Sequence, residues 1–168
     1  MPAKSLIFSV LACLAFASAA HSAPVAPNSG GAMCVLSPAD FQSVGVAGSA
    51  APKANVTEPS GAYCVYSGKS SATGGIELDV FYPAGANTKE SKATLDTAIG
   101  ESSTNTLKPI AVSGTDEAQW SPNTVSGGPP FAEIAVRRGN LVFVLGIPTG
   151  KDAQLQLLKL ADMILKRF

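Results

Sequence analysis

Residues 131–147 read FAEIAVRRGNLVFVLGI, and this segment predicts a β-hairpin. The segments Phe131 to Arg137 and Leu141 to Ile147 are rich in apolar and β-branched residues, which is typical of strands. Between them, Arg138-Gly139-Asn140 has the composition of a tight hairpin turn. Leu141 to Leu145 is apolar at every position, so we expect a central strand that is covered on both faces of an antiparallel sheet.

Two more strands are predicted upstream of this hairpin. Ala62 to Tyr66 is aromatic and β-branched, and in residues 76–82 the apolar side chains alternate with Glu77 and Asp79. A period of two with carboxylates between apolar residues indicates one covered and one solvated face. Paired carboxylates can also serve acid/base catalysis. For this pair the solvated sheet face is the favoured interpretation.

Two short strands, at 109–112 and 117–120, are expected between these pairs, whereas residues 46–61 are rich in Ala, Gly, Pro and Ser and are expected to form a loop.

Three helices complete the prediction. Ser37-Pro38-Ala39-Asp40 places serine at an N-cap and proline at the first helical position, which starts a short helix. Asn87 to Glu90 is a capping box for a second helix that runs to about Gly100. The clearest helix is Lys151 to Phe168, whose apolar stripe consists of Leu157, Leu160, Ala161, Ile164 and Phe168. The predicted order is α-ββ-α-ββββ-α, an α+β fold in which helices pack on an antiparallel sheet.

The N-terminal segment has the layout of a signal peptide. Residues 1–22 combine Lys4, an apolar run from Leu6 to Ala17 and small residues before the expected cleavage point. The run is too short to span a membrane. We therefore expect a signal peptide at 1–22, a flexible leader at 23–32 and a single domain at 33–168 that is periplasmic or secreted and has no membrane span. A lipoprotein interpretation, with Cys13 as the lipidated residue, stays open.

Removal of the signal peptide also removes Cys13 and His21, the only histidine. Cys34 and Cys64 remain as an even pair, and in an oxidising compartment such a pair usually forms a disulfide. Two buried free thiols are the alternative. Two cysteines without a histidine make only half of a metal ligand set, so no metal and no cofactor is expected.

The charge balance argues against nucleic acid as a partner. The chain has 12 Lys+Arg and 12 Asp+Glu, and charged residues make up 14% of it against 46% hydrophobic residues. A nucleic-acid binder needs an excess of basic side chains to hold the phosphate backbone.

Several short motifs resemble a known group. They are Cys34-Val35-Leu36 followed by Ser37-x-x-Asp40, the Cys64-x-Tyr66 strand, residues 112–120 (VSGTDEAQW), Val136-x-x-Gly139 and Leu160-Ala161 in the final helix. The chain in this respect resembles a broad group of small exported bacterial domains of unknown function, many of them lipoproteins. It is also similar in outline to extracellular sensor domains of some bacterial Ser/Thr kinases. The resemblance covers about residues 33–168 and implies architecture and compartment; no activity comes with it.

Catalytic motifs are missing. Without a histidine in the mature chain, no Ser-His-Asp or Cys-His arrangement can form. Gly68-Lys69-Ser70 looks like the end of a phosphate-binding loop, but Tyr63 stands where that motif needs its first glycine, so a turn is favoured. We therefore do not expect an enzyme.

A contact surface is predicted after the Gly114-Thr115 turn. Asp116 and Glu117 lie close to Trp120, and residues 121–130 are polar and rich in Pro and Gly. Carboxylates beside a large aromatic on a loop are typical of a partner-binding surface, although a lone tryptophan is also often a core residue. The sequence thus predicts an exported, non-enzymatic binding domain for an envelope protein or a small ligand. The alternative is a carboxylate-dependent envelope enzyme such as a glycan hydrolase.

Overall fold

The structure, a computed structural model, describes residues 24–26, 29–58, 61–67, 75–101, 107–124 and 130–168. The predicted signal peptide at 1–22 lies outside these ranges, as do the Gly68-Lys69-Ser70 turn and residues 125–129 of the predicted contact loop.

Seven strands form one antiparallel sheet in the described residues. Their bounds are Lys53–Glu58 (β1), Gly61–Val65 (β2), Glu77–Phe81 (β3), Lys108–Pro109 (β4), Glu117–Thr124 (β5), Phe131–Arg138 (β6) and Leu141–Pro148 (β7). The strand order is β1-β2-β3-β7-β6-β5-β4. The predicted α+β class with an antiparallel sheet is confirmed.

β7 lies at the middle of the sheet, as predicted. β7 pairs with β3 on one side and with β6 on the other, and Leu141 to Ile147 is buried throughout. Gly139 occupies the turn with a positive φ of 58°, a conformation that glycine adopts without a Cβ clash. The uninterrupted apolar run of β7 thus reflects cover on both of its faces.

One strand was not predicted from the sequence. Lys53–Glu58, within the expected loop at 46–61, forms β1 and pairs with β2 at the edge of the sheet. The element order is therefore α-βββ-α-ββββ-α. The register of β1 shifts between Asn55 and Glu58, and the side chains of residues 53–55 are exposed. Three exposed side chains in succession show no apolar alternation, so the pattern that predicts strands is missing at 53–55.

Helices cover the two faces of the sheet. They are Pro38–Ser43 (α1), Thr88–Glu101 (α2) and Ala153–Arg167 (α3), with a 3₁₀ turn at Gly30–Met33. α3 contacts β5, β6 and β7 on one face, which we call the α3 face, and α2 contacts β6 and β7 on the opposite face, the α2 face. None of the helices in the described ranges has the length and apolar content needed to cross a bilayer.

The main core lies on the α3 face. The predicted stripe of α3 is confirmed: Leu157, Leu160, Ala161 and Ile164 are at most 1% exposed, and Phe168 is half-buried. These side chains pack with sheet residues that include Leu78, Val80, Ile134, Val136, Phe143 and Leu145. On the α2 face, Leu95 belongs to a second, smaller cluster with Ala135, Val142 and Val144.

The N-terminal segment is fastened to this core by a disulfide. Cys34 and Cys64 are bonded, with their Cα atoms 5.6 Å apart, so the predicted pairing is confirmed. Further upstream, the backbone N–H of Val25 donates to the Arg167 carbonyl at 2.9 Å, and Met33 is fully buried. Residues on both sides of Cys34 thus pack against the domain.

A salt bridge joins α1 to the end of α3. Ser37 caps α1 as predicted, and the Asp40 side chain accepts from the Ser37 N–H at 2.6 Å. Both Asp40 carboxylate oxygens also accept from the guanidinium of Arg167, at 2.7 and 2.8 Å. The hydrogen bond from Arg167 lowers the pKa of Asp40 to about 2.

This bridge predicts a loss of stability in acid. The pKa of Asp40 is lower in the folded than in the unfolded chain, so its contribution is present above about pH 4 and is lost as the pH falls toward 2. We expect that loss to be about 1–2 kcal/mol, because Asp40 is partly solvated. Urea denaturation at pH 5 and pH 2.5 measures it. Asp40→Asn should show a correspondingly smaller decrease between the two pH values, and equal decreases in both proteins would contradict the prediction.

Candidate functional site

Three strands carry polar residues, and a fourth carries a glycine, at one level of the α2 face. Glu77 of β3 pairs with Gly146 of β7, Gly146 pairs with Glu133 of β6, and Glu133 pairs with Ser121 of β5. Directly paired residues project to the same side of a sheet. These four residues, which we call the polar row, thus place two carboxylates on either side of a position without a side chain.

The members of the polar row differ in how deeply they are buried. Glu133 is 1% exposed and Ser121 is 3% exposed, whereas Glu77 is half-buried. Asp79, two residues after Glu77 on the same face, is also half-buried, which differs from the solvated face that the alternation predicts. All three carboxylates interact with a neighbouring group. Because burial of a carboxylate costs free energy, Glu133 in the middle of a sheet stabilises the fold less than an apolar residue would at the same position.

Gly146 makes room for an aromatic ring. A Cβ atom at this position would lie 3.0 Å from Cδ2 and 3.3 Å from Cε2 of Phe131. The ring of Phe131 thus covers the backbone of Gly146, between the strands that carry Glu77 and Glu133. An apolar group between two carboxylates keeps the local dielectric low and strengthens any charge interaction there.

Thr124 lies at the end of β5 on the same face. It pairs with Phe131, and it is fully buried. Its Oγ1 has no hydrogen-bond partner within the described part of the chain. A buried hydroxyl without a partner carries a desolvation penalty that is comparable to a lost hydrogen bond.

The predicted contact residue Asp116 is hydrogen-bonded to the turn between β6 and β7. Its Oδ2 accepts from the Gly139 N–H at 2.6 Å and from Nη1 of Arg137 at 3.1 Å, and its own N–H donates to the Arg137 carbonyl. The Arg137 side chain is only 8% exposed, so Asp116 neutralises a buried cation.

Glu117 joins the same network. Its Oε2 lies 3.9 Å from Nε of Arg137 and 3.8 Å from Nζ of Lys92 on α2, and its Oε1 accepts from Gln119 at 3.1 Å. Lys92 in turn bonds Asp96 at 2.8 Å. The structure therefore brings Asp116 and Glu117 together around Arg137.

Trp120 does not join them. It pairs with Ile134 and packs, half-buried, against the core of the α3 face, whereas Glu117 pairs with Arg137 on the α2 face. Residues 121–124 of the predicted contact loop belong to β5. A partner contact at Asp116, Glu117 and Trp120 stays a prediction, with Glu117 and Trp120 on opposite faces of β5.

Replacing Asp116 with alanine is expected to destabilise the protein by about 1.5–3 kcal/mol. The change removes two hydrogen-bond acceptor contacts and leaves the buried Arg137 with its longer contact to Glu117. Chemical denaturation measures the effect. Asp162→Ala is the matched control, because Asp162 pairs with Lys166 on an exposed helix surface and its loss should cost less than 1 kcal/mol. Equal stability of the two variants would show that Asp116 has no such structural role.

Sequence reasoning did not single out Glu133, Ser121 or Thr124. The available signal was a carboxylate in the middle of the apolar strand at 131–137, where a hydrophobic residue is the rule. The register that aligns Glu133 with Glu77 and Ser121 depends on strands that are far apart in the sequence.

Comparison with known proteins gives no assignment: no family model matches the chain, and no curated protein matches it. In the described ranges, no three Asp, Glu, Cys or His side chains are placed so that they could hold a metal ion.

Proposed function

We propose that the protein is an exported, non-enzymatic binding domain, periplasmic or secreted, which uses the polar row and the adjacent Asp79 as its binding surface. Its partner is an envelope protein or a small ligand. The resemblance to small exported bacterial domains supports the same assignment.

Export is supported by two independent features. The predicted signal peptide would target the chain for export, and the Cys34–Cys64 disulfide is a kind of bond that persists in oxidising compartments. The partner class is supported by the neutral charge balance, which argues against nucleic acid as the partner.

The observation that carries the binding surface is the burial of Glu133 opposite Glu77. Glu133 interacts with a neighbouring group, and a carboxylate kept where a sheet interior would gain more stability from an apolar residue is typical of a functional surface. Glu77 and Asp79 are half-buried and therefore reachable from solvent at the same level of the sheet.

A carboxylate-dependent glycan hydrolase is the second candidate. Glu77 and Glu133 lie on strands that both flank β7, so their Cα atoms are about 10 Å apart. Two glutamates across such a gap can approach the carboxylate separations that retaining and inverting glycosidases use. Release of reducing sugar ends from cell-wall glycan, abolished in Glu133→Gln, would favour this candidate over the binding domain.

The test of the binding domain is a comparison of captured partners. The protein is purified from the periplasm of a bacterial host, immobilised and exposed to envelope extract, and retained molecules are identified by mass spectrometry. We expect a retained partner whose affinity, once it is purified, falls at least tenfold in the double variant Glu77→Gln/Asp79→Asn.

The matched control is Asp152→Asn/Asp162→Asn. It removes two carboxylates from exposed positions near and on α3 and should leave the affinity unchanged. Equal affinity in both double variants would refute the assignment of the surface. Failure of the wild-type chain to reach the periplasm would refute the export.

A further inference from the structure

Noncovalent contacts hold the segment that carries Cys34, residues 33–36, which we call the Cys34 segment. The Val35 carbonyl, one residue after the cysteine, accepts from Nη1 of Arg167 at 2.6 Å. The same guanidinium donates to both carboxylate oxygens of Asp40 at the start of α1. A planar guanidinium donates in fixed directions and therefore holds its acceptors at a defined position. The end of α3 thus fixes the chain on the C-terminal side of Cys34.

Two further contacts fix the Cys34 segment. The Leu36 N–H donates to the Tyr66 hydroxyl at 3.3 Å, and Met33 is fully buried in the main core. Tyr66 follows Cys64 by two positions and is also fully buried. Because these contacts are not made by sulfur, we expect them to persist after the disulfide is reduced, so that Cys34 stays docked beside Cys64.

The two cysteines differ in their exposure to solvent. Cys64 is 0% exposed and belongs to the main core, whereas Cys34 is half-buried. In thiol–disulfide exchange, the attacking thiolate must reach the sulfur of its target, so access decides which cysteine reacts with a dissolved reagent. In a reduced protein whose Cys34 segment stays docked, such a reagent therefore meets Cys34 first.

We infer that Cys34 is the cysteine that reacts with an external disulfide, that Cys64 then resolves the mixed disulfide, and that Arg167 is the positioning residue that keeps Cys34 docked for this second step. The inference goes beyond the proposed function and does not involve the polar row.

The reaction balances with any small disulfide, RSSR, as the oxidant. The Cys34 thiol loses its proton, and the thiolate attacks one sulfur of RSSR, so that a mixed disulfide forms and RS⁻ leaves. The Cys64 thiolate then attacks the Cys34 sulfur, which forms the protein disulfide and releases the second RS⁻. The two cysteines together lose two protons and two electrons, and RSSR is reduced to two molecules of the thiol RSH.

Alkylation of the reduced wild-type protein tests the difference in access. The periplasmically purified protein is reduced, its fold is checked by circular dichroism, and limiting iodoacetamide is added; peptide mass mapping gives the rate at each cysteine. We expect Cys34 to react at least about tenfold faster than Cys64, because Cys64 becomes accessible through local opening. In concentrated urea the two rates should agree within about twofold, because both thiols are then solvated.

Trapping of the mixed disulfide tests the order of attack. Cys64→Ser exposed to oxidised glutathione should accumulate a mixed disulfide at Cys34, because the resolving thiol is missing. Cys34→Ser should form less than about a tenth as much over the same time, because its thiol is buried. Intact mass measures both adducts. If either variant does not fold, the alkylation rates of the wild type decide the matter.

Arg167→Gln tests the positioning role. The change removes the bonds to Val35 and Asp40, so the Cys34 segment should open more often. We expect the alkylation rate of Cys64 in the reduced protein to rise about tenfold, while that of Cys34 stays within about twofold of the wild-type rate.

Two control variants separate this role from a general loss of stability. Lys166→Gln removes the neighbouring cation of α3, which pairs with Asp162 on the helix surface, and should leave both alkylation rates unchanged. Asp116→Ala lowers the stability through the turn between β6 and β7, away from the Cys34 segment. It should raise the Cys64 rate clearly less than Arg167→Gln does.

Three results overturn the assignment of Cys34: loss of the fold on reduction, equal alkylation rates of Cys34 and Cys64 in the folded reduced protein, or equal glutathione adducts on folded Cys34→Ser and Cys64→Ser. Equal Cys64 rates in Arg167→Gln and Asp116→Ala overturn the positioning role of Arg167.

Discussion

Replacing Leu157 with alanine is expected to lower the free energy of unfolding by about 2–5 kcal/mol. Leu157 is 1% exposed and belongs to the core between α3 and the sheet. Truncating it removes buried methyl groups and leaves a cavity that the surrounding side chains can fill only in part. Urea denaturation followed by circular dichroism measures the change.

Lys159→Ala is the matched control on the same helix. Lys159 is exposed, two residues after Leu157, and alanine favours helix formation at least as well as lysine. We expect a change within about 0.5 kcal/mol. If both variants denature at the same urea concentration, α3 does not contribute to the core in the way that its buried stripe indicates.

Removing the disulfide has the second large effect. Cys34 and Cys64 are 30 positions apart, and for a loop of this length the chain-entropy model gives about 3.6 kcal/mol. We expect Cys34→Ala/Cys64→Ala to lose about 2–4 kcal/mol, because the bond restricts the unfolded chain and ties the segment around Met33 and Leu36 to β2. Denaturation of the variant and of the oxidised wild type gives the difference.

Alkylation of the native wild-type protein before mass measurement is the companion experiment. The unreduced protein should take up no alkyl group at Cys34 or Cys64, and the reduced protein should take up one at each. Two alkylated thiols without reductant would contradict the disulfide, whatever the stability of the variant.

The parts of the fold that the sequence predicts are those with a strong local pattern. β7 is apolar at each position because both of its faces are covered, and α3 has a buried stripe with a charged opposite side. The N-cap at Ser37 follows from a hydrogen bond between residues three positions apart. In each of these elements the local pattern and the tertiary environment agree.

β1 escapes prediction for a physical reason. Its side chains at 53–55 are exposed, so these residues are held in the strand by their backbone pairing with β2. Backbone pairing leaves no trace in the side-chain pattern, and propensity alone does not distinguish an edge strand from a loop.

The candidate site is a product of long-range register. Glu77 and Glu133 are separated by 56 positions in the sequence and meet only because β7 aligns both with Gly146. The predicted pair Asp116 and Glu117 was recognised as a charged turn, but its partner Arg137 lies on another strand. Residue type and local spacing predict which groups are chemically capable; the sheet register decides which of them meet.

The position of β7 has a consequence for the timing of assembly. A chain that emerges from a ribosome or a translocation channel from its N-terminus presents β1, β2 and β3 early, but β3 obtains its second neighbour only when Leu141–Pro148 has emerged. β6 also waits for the same strand on one of its sides. The two halves of the sheet can therefore be joined only once Leu141–Pro148 is available, so completion of the sheet is a late step that follows the synthesis of both halves.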